Sequence, residues 1–265
     1  MDDLERLFRW AIYHDYGLTP EQIGQNIRDY TVDTIKSGKT SIVDTLETMD
    51  ALKYSAVSGC SIDQIKRSHF VISISKFLTR FQSDIMNSGR KEGIDATVIA
   101  AVITWEFEKN LKGRLSDYAQ VIKPGNTSGI GWGSMHGEEA AKRIPGKHSL
   151  REISCIRMDA KSVIPLVAKF IKDCVDEYYK ESGIYIGNDP AVMAFFYNTG
   201  ISKARESARK RKNEVPDIPN SSQVIHLNVT VNPMAKWVKN NLNQFTKFYT
   251  APSVPNGVKA YAVAK

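Results

Sequence analysis

Cysteine is scarce in this chain: three in 265 residues, too few and too far apart for a disulfide-dense scaffold or a thiolate metal site. Cys60, Cys155 and Cys174 form no CxxC pair and no Cys/His cluster, so buried thiols are the expected reading rather than a metal site or disulfide framework. Uncharged runs of the roughly 20 residues that cross a bilayer are also lacking, so no membrane segment is expected. The first ten residues, MDDLERLFRW, are charged and amphipathic where a secretory leader has a basic end followed by an apolar run. Export, if it occurs, is expected to use another route or a removed leader. There is no internal repeat or low-complexity domain.

The composition is that of a soluble globular protein, 42% hydrophobic and 25% charged. Either one domain with an extension or two small domains would fit this length. A net charge of +7 points toward an anionic partner, and nucleic acid, acidic lipid and acidic polysaccharide all qualify.

Most of the chain reads as helices with clear punctuation. Helices are expected from Asp2 to Gly17, from Thr19–Pro20 to Ser37, and over 42–57. Ser61 and Gln64 make a capping-box pattern that opens a longer helix through Ile65, Ile74, Phe77, Phe81 and Ile85. Ala96 to Trp105 holds no charge and two threonines, the signature of a central helix buried on nearly all sides. PGNTSGIGWGSMHG, 124–137, is a glycine-dense loop or short hairpin. A helix through Ile164, Val167, Ile171, Cys174 and Tyr178 stops at Gly183, with Pro165 tolerable in a first turn. Asp189, Pro190 and Gly200 bracket AVMAFFYNT as a short buried helix. SKARESARKRK is strongly basic, QVIHLNVTV alternates like a strand, and Asn232–Pro233 starts a final helix carrying Trp237, Val238, Leu242, Phe245 and Phe248. The division expected is 1–90 an N-terminal helical region, 91–250 a second domain, and 251–265 a tail.

The central helix raises a chemical question at its end, AAVITWEFEKN. Ile99, Val102, Ile103 and Glu106 share one side, so a carboxyl continues a buried stripe by one turn. Apolar walls raise the cost of ionisation, which keeps such a carboxyl protonated toward neutrality, as a general acid requires. The alternative is a solvated residue, or one ion-paired with Lys109 or Lys112.

AVITWE, SGIGWGSM and AFFYNTG, in this order and with these gaps, resemble the catalytic domain of the lysozyme-like superfamily shared by soluble lytic transglycosylases and goose-type lysozymes. Ala101, Val102, Ile103 and Glu106 match the family's A-V-I-x-x-E helix. Gly129 and Ile130 match the start of its glycine segment, and Tyr197, Asn198 and Gly200 its A-Y-N-x-G helix end. The basic helix and the aromatic-rich last helix also resemble the family, and the likeness covers 94–248. Phe107 departs from the usual serine, Trp132 stands near the usual glutamine, and no proline follows the glycine segment where one is usual.

The resemblance implies a mainly α, lysozyme-like (transglycosylase-type) helical domain with a small irregular or β element, plus an N-terminal helical extension. It implies a muramidase cleaving the β-1,4 bond between N-acetylmuramic acid and N-acetylglucosamine of peptidoglycan, with Glu106 as general acid and no cofactor or metal. Hydrolysis calls for a second carboxylate, for which Asp117, in the loop after the helix, and Glu108 are candidates; the alternative for Asp117 is surface solvation. Lytic transglycosylation instead closes an anhydro ring with the same glutamate as base. Gly129, Ile130, Gly131, Trp132, Tyr197 and Asn198 are the expected substrate-binding residues. The glycines would let backbone approach the sugar or simply make a tight turn, and Trp132 would stack on a sugar face or sit in the core. Glu138 and Glu139 read as first-turn charges of the next helix, and His136 as a polar loop residue.

Joined to a first ten residues unlike a secretory leader, this implies an antibacterial effector or phage-type lysin, made in a bacterial cytoplasm and acting on cell wall in the periplasm or outside a target cell. Its partners would be peptidoglycan glycan strands and, for an effector, a delivery apparatus or an inhibitory immunity protein. Two other readings compete. A nucleic-acid-binding protein would use Lys203, Arg205, Arg209, Lys210, Arg211 and Lys212 on phosphates, which explains the charge but not the glutamate helix. A glycan-binding domain without catalysis would fit the motif departures.

Overall fold

A computed structural model describes residues 47, 51–52, 54–56, 58–109, 117, 120–121, 124–125, 128–214 and 231–253. It is mainly helical. The helices expected before residue 42, and all but the last residue of the strand expected at QVIHLNVTV, lie outside the described residues; that last residue, Val231, is not in a strand. Two compact units emerge, each discontinuous in sequence: 1–77 with 110–163, and 78–109 with 164–265. This partition differs from the sequence division at residue 90.

In the first unit, the described residues between 47 and 58 are helical, and α1 (Ile62–Lys66) follows. The capping box forms as expected: Ser61 Oγ accepts from the Gln64 N–H, and the Gln64 side chain accepts from the Ser61 N–H. The long helix expected from Ser61 to Gly89 is instead three, α1, α2 (Ile74–Arg80) and α3 (Gln82–Glu92). Arg67 ends the first of them. Its guanidinium grips Asp159 at 2.6 and 3.1 Å, while its carbonyl accepts from the Ala160 N–H and the Trp132 indole. These partners, 65 or more residues away, turn the chain at 67–73 where local pattern would have continued the helix.

Beyond lie the hairpin β1 (Gly129–Ile130) and β2 (Met135–His136), paired antiparallel, then α5 (Gly137–Ala141) and α6 (Leu150–Met158), which carries a second complete capping box at Ser149. The hairpin meets the expectation of a small β element. Helix α6 packs on α1, α5 and β1. Ala51, Cys60, Ile65, Val121, Ile130, Cys155 and Met158 form one apolar cluster within the unit. Inside it Cys60 and Cys155 are joined as a disulfide, which corrects the expectation of buried thiols for these two, while Cys174 is a buried thiol as expected. Ninety-five residues separate the two cysteines, so spacing gave no hint of their pairing.

The second unit is organised around α4 (Ala96–Lys109), the uncharged helix. Its residues from Ala96 to Thr104 are all buried, as the lack of a polar face requires. The Thr104 hydroxyl is satisfied by the Ala100 carbonyl one turn back. Against α4 pack α3, α8 (Pro190–Thr199), α10 (Pro233–Asn241) and the 3-10 turn Leu242–Phe248. Thr250 ties the start of α4 to the end of the described chain, accepting from Ala96 N–H and donating to Ile94 O. Most of α7 (Ala160–Ser182) also belongs here, with Ile164, Val167, Ala168, Ile171, Cys174, Val175 and Tyr178 buried along one stripe. Pro165 falls in its second turn rather than the first, so the carbonyl four residues back lacks its usual donor. The basic segment forms α9 (Ile201–Glu214).

Candidate functional site

Glu106, Tyr197 and Asn198 fall in the second unit; Asp117, Gly129, Ile130, Gly131 and Trp132 fall in the first. Each group is described within its own unit.

Helix α4 delivers Glu106. Val102 and Ile103 are fully buried, and Glu106, one turn past Val102, is half-buried: the carboxyl stands where the core meets the surface. Helix α8, packed against α4, carries the other two residues. Asp189 caps its start, accepting from the N–H groups of Ala191 and Val192, and Pro190 takes the first turn. Gly200, at φ 87° and ψ 167°, ends it in a backbone region that only glycine occupies comfortably. Tyr197, 8% exposed, meets Phe170 edge-on. Asn198 is exposed, and its Oδ1 accepts from Asn232, the residue whose own carbonyl oxygen caps α10. The YNTG end of α8 is thereby fastened to the start of α10. Glu108 is exposed.

The glycine segment in the first unit is held from three sides. Gly129 pairs with His136, and Ile130 is buried in the apolar cluster. Gly131 has φ +75°, and a Cβ there would stand 2.0 Å from the Arg157 carbonyl oxygen, so both conformation and space demand glycine. The buried Arg157 guanidinium donates to Ser128 O at 2.9 Å and Met135 O at 3.0 Å, spanning the hairpin from one edge to the other. Burial pushes this guanidinium down to about 10, against the pull of Asp117. Trp132, expected as a sugar-stacking ring or a core residue, is core: it is 1% exposed, packs on Phe77 with ring centroids 4.3 Å apart, and donates its indole N–H to Arg67 O.

Asp117 departs furthest from its expected solvated surface. It is helical and 5% exposed, and its Oδ2 accepts from the Gly131 N–H at 2.9 Å. Oδ1 is buried and finds no hydrogen-bond partner among the described residues. Burial raises the carboxyl to about 7, opposed by the Gly131 hydrogen bond and the charge of Arg157. His69 Nε2 lies 3.3 Å from the same Oδ2, and His69 too is 5% exposed.

Several other charges among the described residues are paired. Glu139 pairs with Lys142 and Arg143 in and just past α5, and Glu138 shares its first turn, as expected. His136 sits exposed at the N-cap of α5. On α9, Arg205 meets Glu177, Arg209 meets Glu181, and Lys203 and Lys210 both meet Glu206. Among the described residues, no three His, Cys, Asp or Glu side chains gather as a metal ion requires, and no helix is long and apolar enough to cross a membrane.

Sequence reading missed His69 and Arg157. His69 lies in the apolar run HFVISI, a signal for burial but not for a partner 48 positions away. Arg157 sits among IRM on an amphipathic helix, where an arginine ordinarily marks the solvated face. No protein-family model, curated protein or solved structure matches this chain.

Proposed function

We propose that this protein is a muramidase of lysozyme-like fold that cleaves the β-1,4 bond between N-acetylmuramic acid and N-acetylglucosamine, with Glu106 as its general acid. The observation that carries the reading is Glu106 itself: a half-buried carboxyl two residues past the wholly buried stretch Ala96–Thr104 of α4, on the element packed against the one ending Tyr197-Asn198-Thr199 before Gly200. The ordered likeness of the three segments adds the substrate class.

Protonated Glu106 donates to the bridging oxygen as positive charge develops on the sugar ring. It then serves as base, either for water or for the muramyl 6-hydroxyl. Tyr197 and Asn198 orient the glycan beside it. The disulfide supports action in an oxidising compartment such as the periplasm or a cell exterior. A nucleic-acid role is less well supported, because Lys203, Arg205, Arg209 and Lys210 already face carboxylates.

Digestion of purified peptidoglycan, with mass analysis of the fragments, tests the reading. Glu106→Gln should lower cleavage by about 100- to 10,000-fold. Anhydro ends would identify transglycosylation and reducing ends hydrolysis. Undiminished cleavage by the variant would overturn the role of Glu106.

A further inference from the structure

Two buried titratable side chains, His69 and Asp117, have no part in the chemistry assigned to Glu106. They meet at 3.3 Å, and the carboxyl oxygen they share is the one that accepts the Gly131 N–H. Gly131 is also the point where the hairpin lies directly on the Arg157 carbonyl. The Trp132 ring next to it stands edge-on to His69, centroids 5.9 Å apart. An aspartate that needed only to cap a turn could do so from the surface. Here it is buried beside an imidazole, with one oxygen lacking a partner among the described residues.

We propose that His69 and Asp117 are positioning residues, a buried acid–base pair that holds the glycine segment 128–135 in its working shape through the Gly131 amide. The hydrogen bond is strongest when the carboxyl is ionised, because charge-assisted bonds are roughly twice as strong as neutral ones. Among the described residues, the titratable and charged groups facing Asp117 are His69 from the turn 67–73 and Arg157 from α6. Arg67 and Asp159, on these same two elements, are spent on each other, and His136 on the hairpin is exposed. Burial places the change of Asp117 near 7, so the grip on Gly131 tightens as pH rises through neutrality.

The effect on turnover rests on the muramidase reading; the effect on the loop does not. Amide hydrogen exchange and amide chemical shifts across 128–136 in the full chain separate the two. Asp117→Ala should speed exchange at Gly131 by about tenfold, the worth of one hydrogen bond, and slow wall digestion in parallel. Asp117→Asn keeps an acceptor oxygen and the fold; it should restore slow exchange but abolish the titration of the Gly131 amide between pH 6 and 8. His69→Gln should move that titration's midpoint. A Gly131 amide that still titrates in Asp117→Asn, or that keeps its wild-type exchange in Asp117→Ala, would overturn the proposal. If the wild type fails to digest wall while the Gly131 amide behaves as stated, the muramidase reading falls and the positioning pair stands.

Discussion

In the second unit the interior is built from helices whose ends and faces are written in adjacent residues, as in α8 with its Asp189, Pro190 and Gly200. In the first unit the shape is set by partners far apart: Cys60 with Cys155, Arg67 with Asp159, and His69 with Asp117. The difference decides what each unit tolerates. A helix face absorbs a change by shifting side chains, whereas a hairpin pinned by one arginine, one aspartate and a bare glycine contact has nothing to shift.

Glycine substitution should expose that contrast most strongly. Gly131→Ala drives a methyl group onto the Arg157 carbonyl from a positive-φ backbone and should cost more than about 4 kcal/mol, enough to unfold the first unit. Gly200→Ala meets nothing within 4 Å and should cost only the backbone strain, about 1–3 kcal/mol. Chemical denaturation of the two variants, followed by residue-resolved amide hydrogen exchange in each unit, measures both. Equal losses would show that the units do not differ in this way.

Removing the disulfide is the next largest step. Cys60→Ser with Cys155→Ser opens a loop whose closure is worth about 4–5 kcal/mol by the chain-entropy account. The loss should appear in the signal of the first unit and leave the second unit's transition in place. Reduction of the wild type by a dithiol should reproduce it.

A smaller effect follows from Asp117. Its carboxyl sits near 7 in the folded chain and near 3.8 when exposed, so the folded state binds the proton more tightly. The stability contributed is complete below about pH 4 and is lost as pH rises to about 7, at most about 4 kcal/mol at 1.36 kcal/mol per pK unit. Melting temperatures of wild type and Asp117→Asn between pH 4 and 8 should converge at the acid end and separate toward neutrality. A constant gap would show that Asp117 is not the group responsible.

How much of this was legible in the sequence follows the same contrast. The central helix, both ends of α8, the cap of α10 and the capping box at Ser61 depend on residues within a few positions, and all could be read. The half-buried position of Glu106 followed from a 3.6-residue period alone. The break at Arg67 could not be read, because its cause is an aspartate 92 residues on. Nor could the burial of Asp117, which stands in a polar stretch, DYAQ, and owes its surroundings to His69, Arg157 and the hairpin. Trp132 was ambiguous for a related reason: a tryptophan among glycines fits a glycan platform as well as a core wedge, and only Arg67 O and Phe77 decide between them.

The interleaving of the two units has a consequence for how the chain is made. Helix α4 leaves the ribosome early, but α8, α10 and the turn ending at Phe248 that cover it arrive as many as 139 residues later. At synthesis rates of about 5–20 residues per second, this apolar helix waits several seconds or longer without its cover. The first unit waits too, since Cys60 meets Cys155 only after all of 78–109 has been synthesised. A chain so arranged keeps apolar surface uncovered during synthesis, and the interior around α4 is finished only when residues up to Phe248 have emerged.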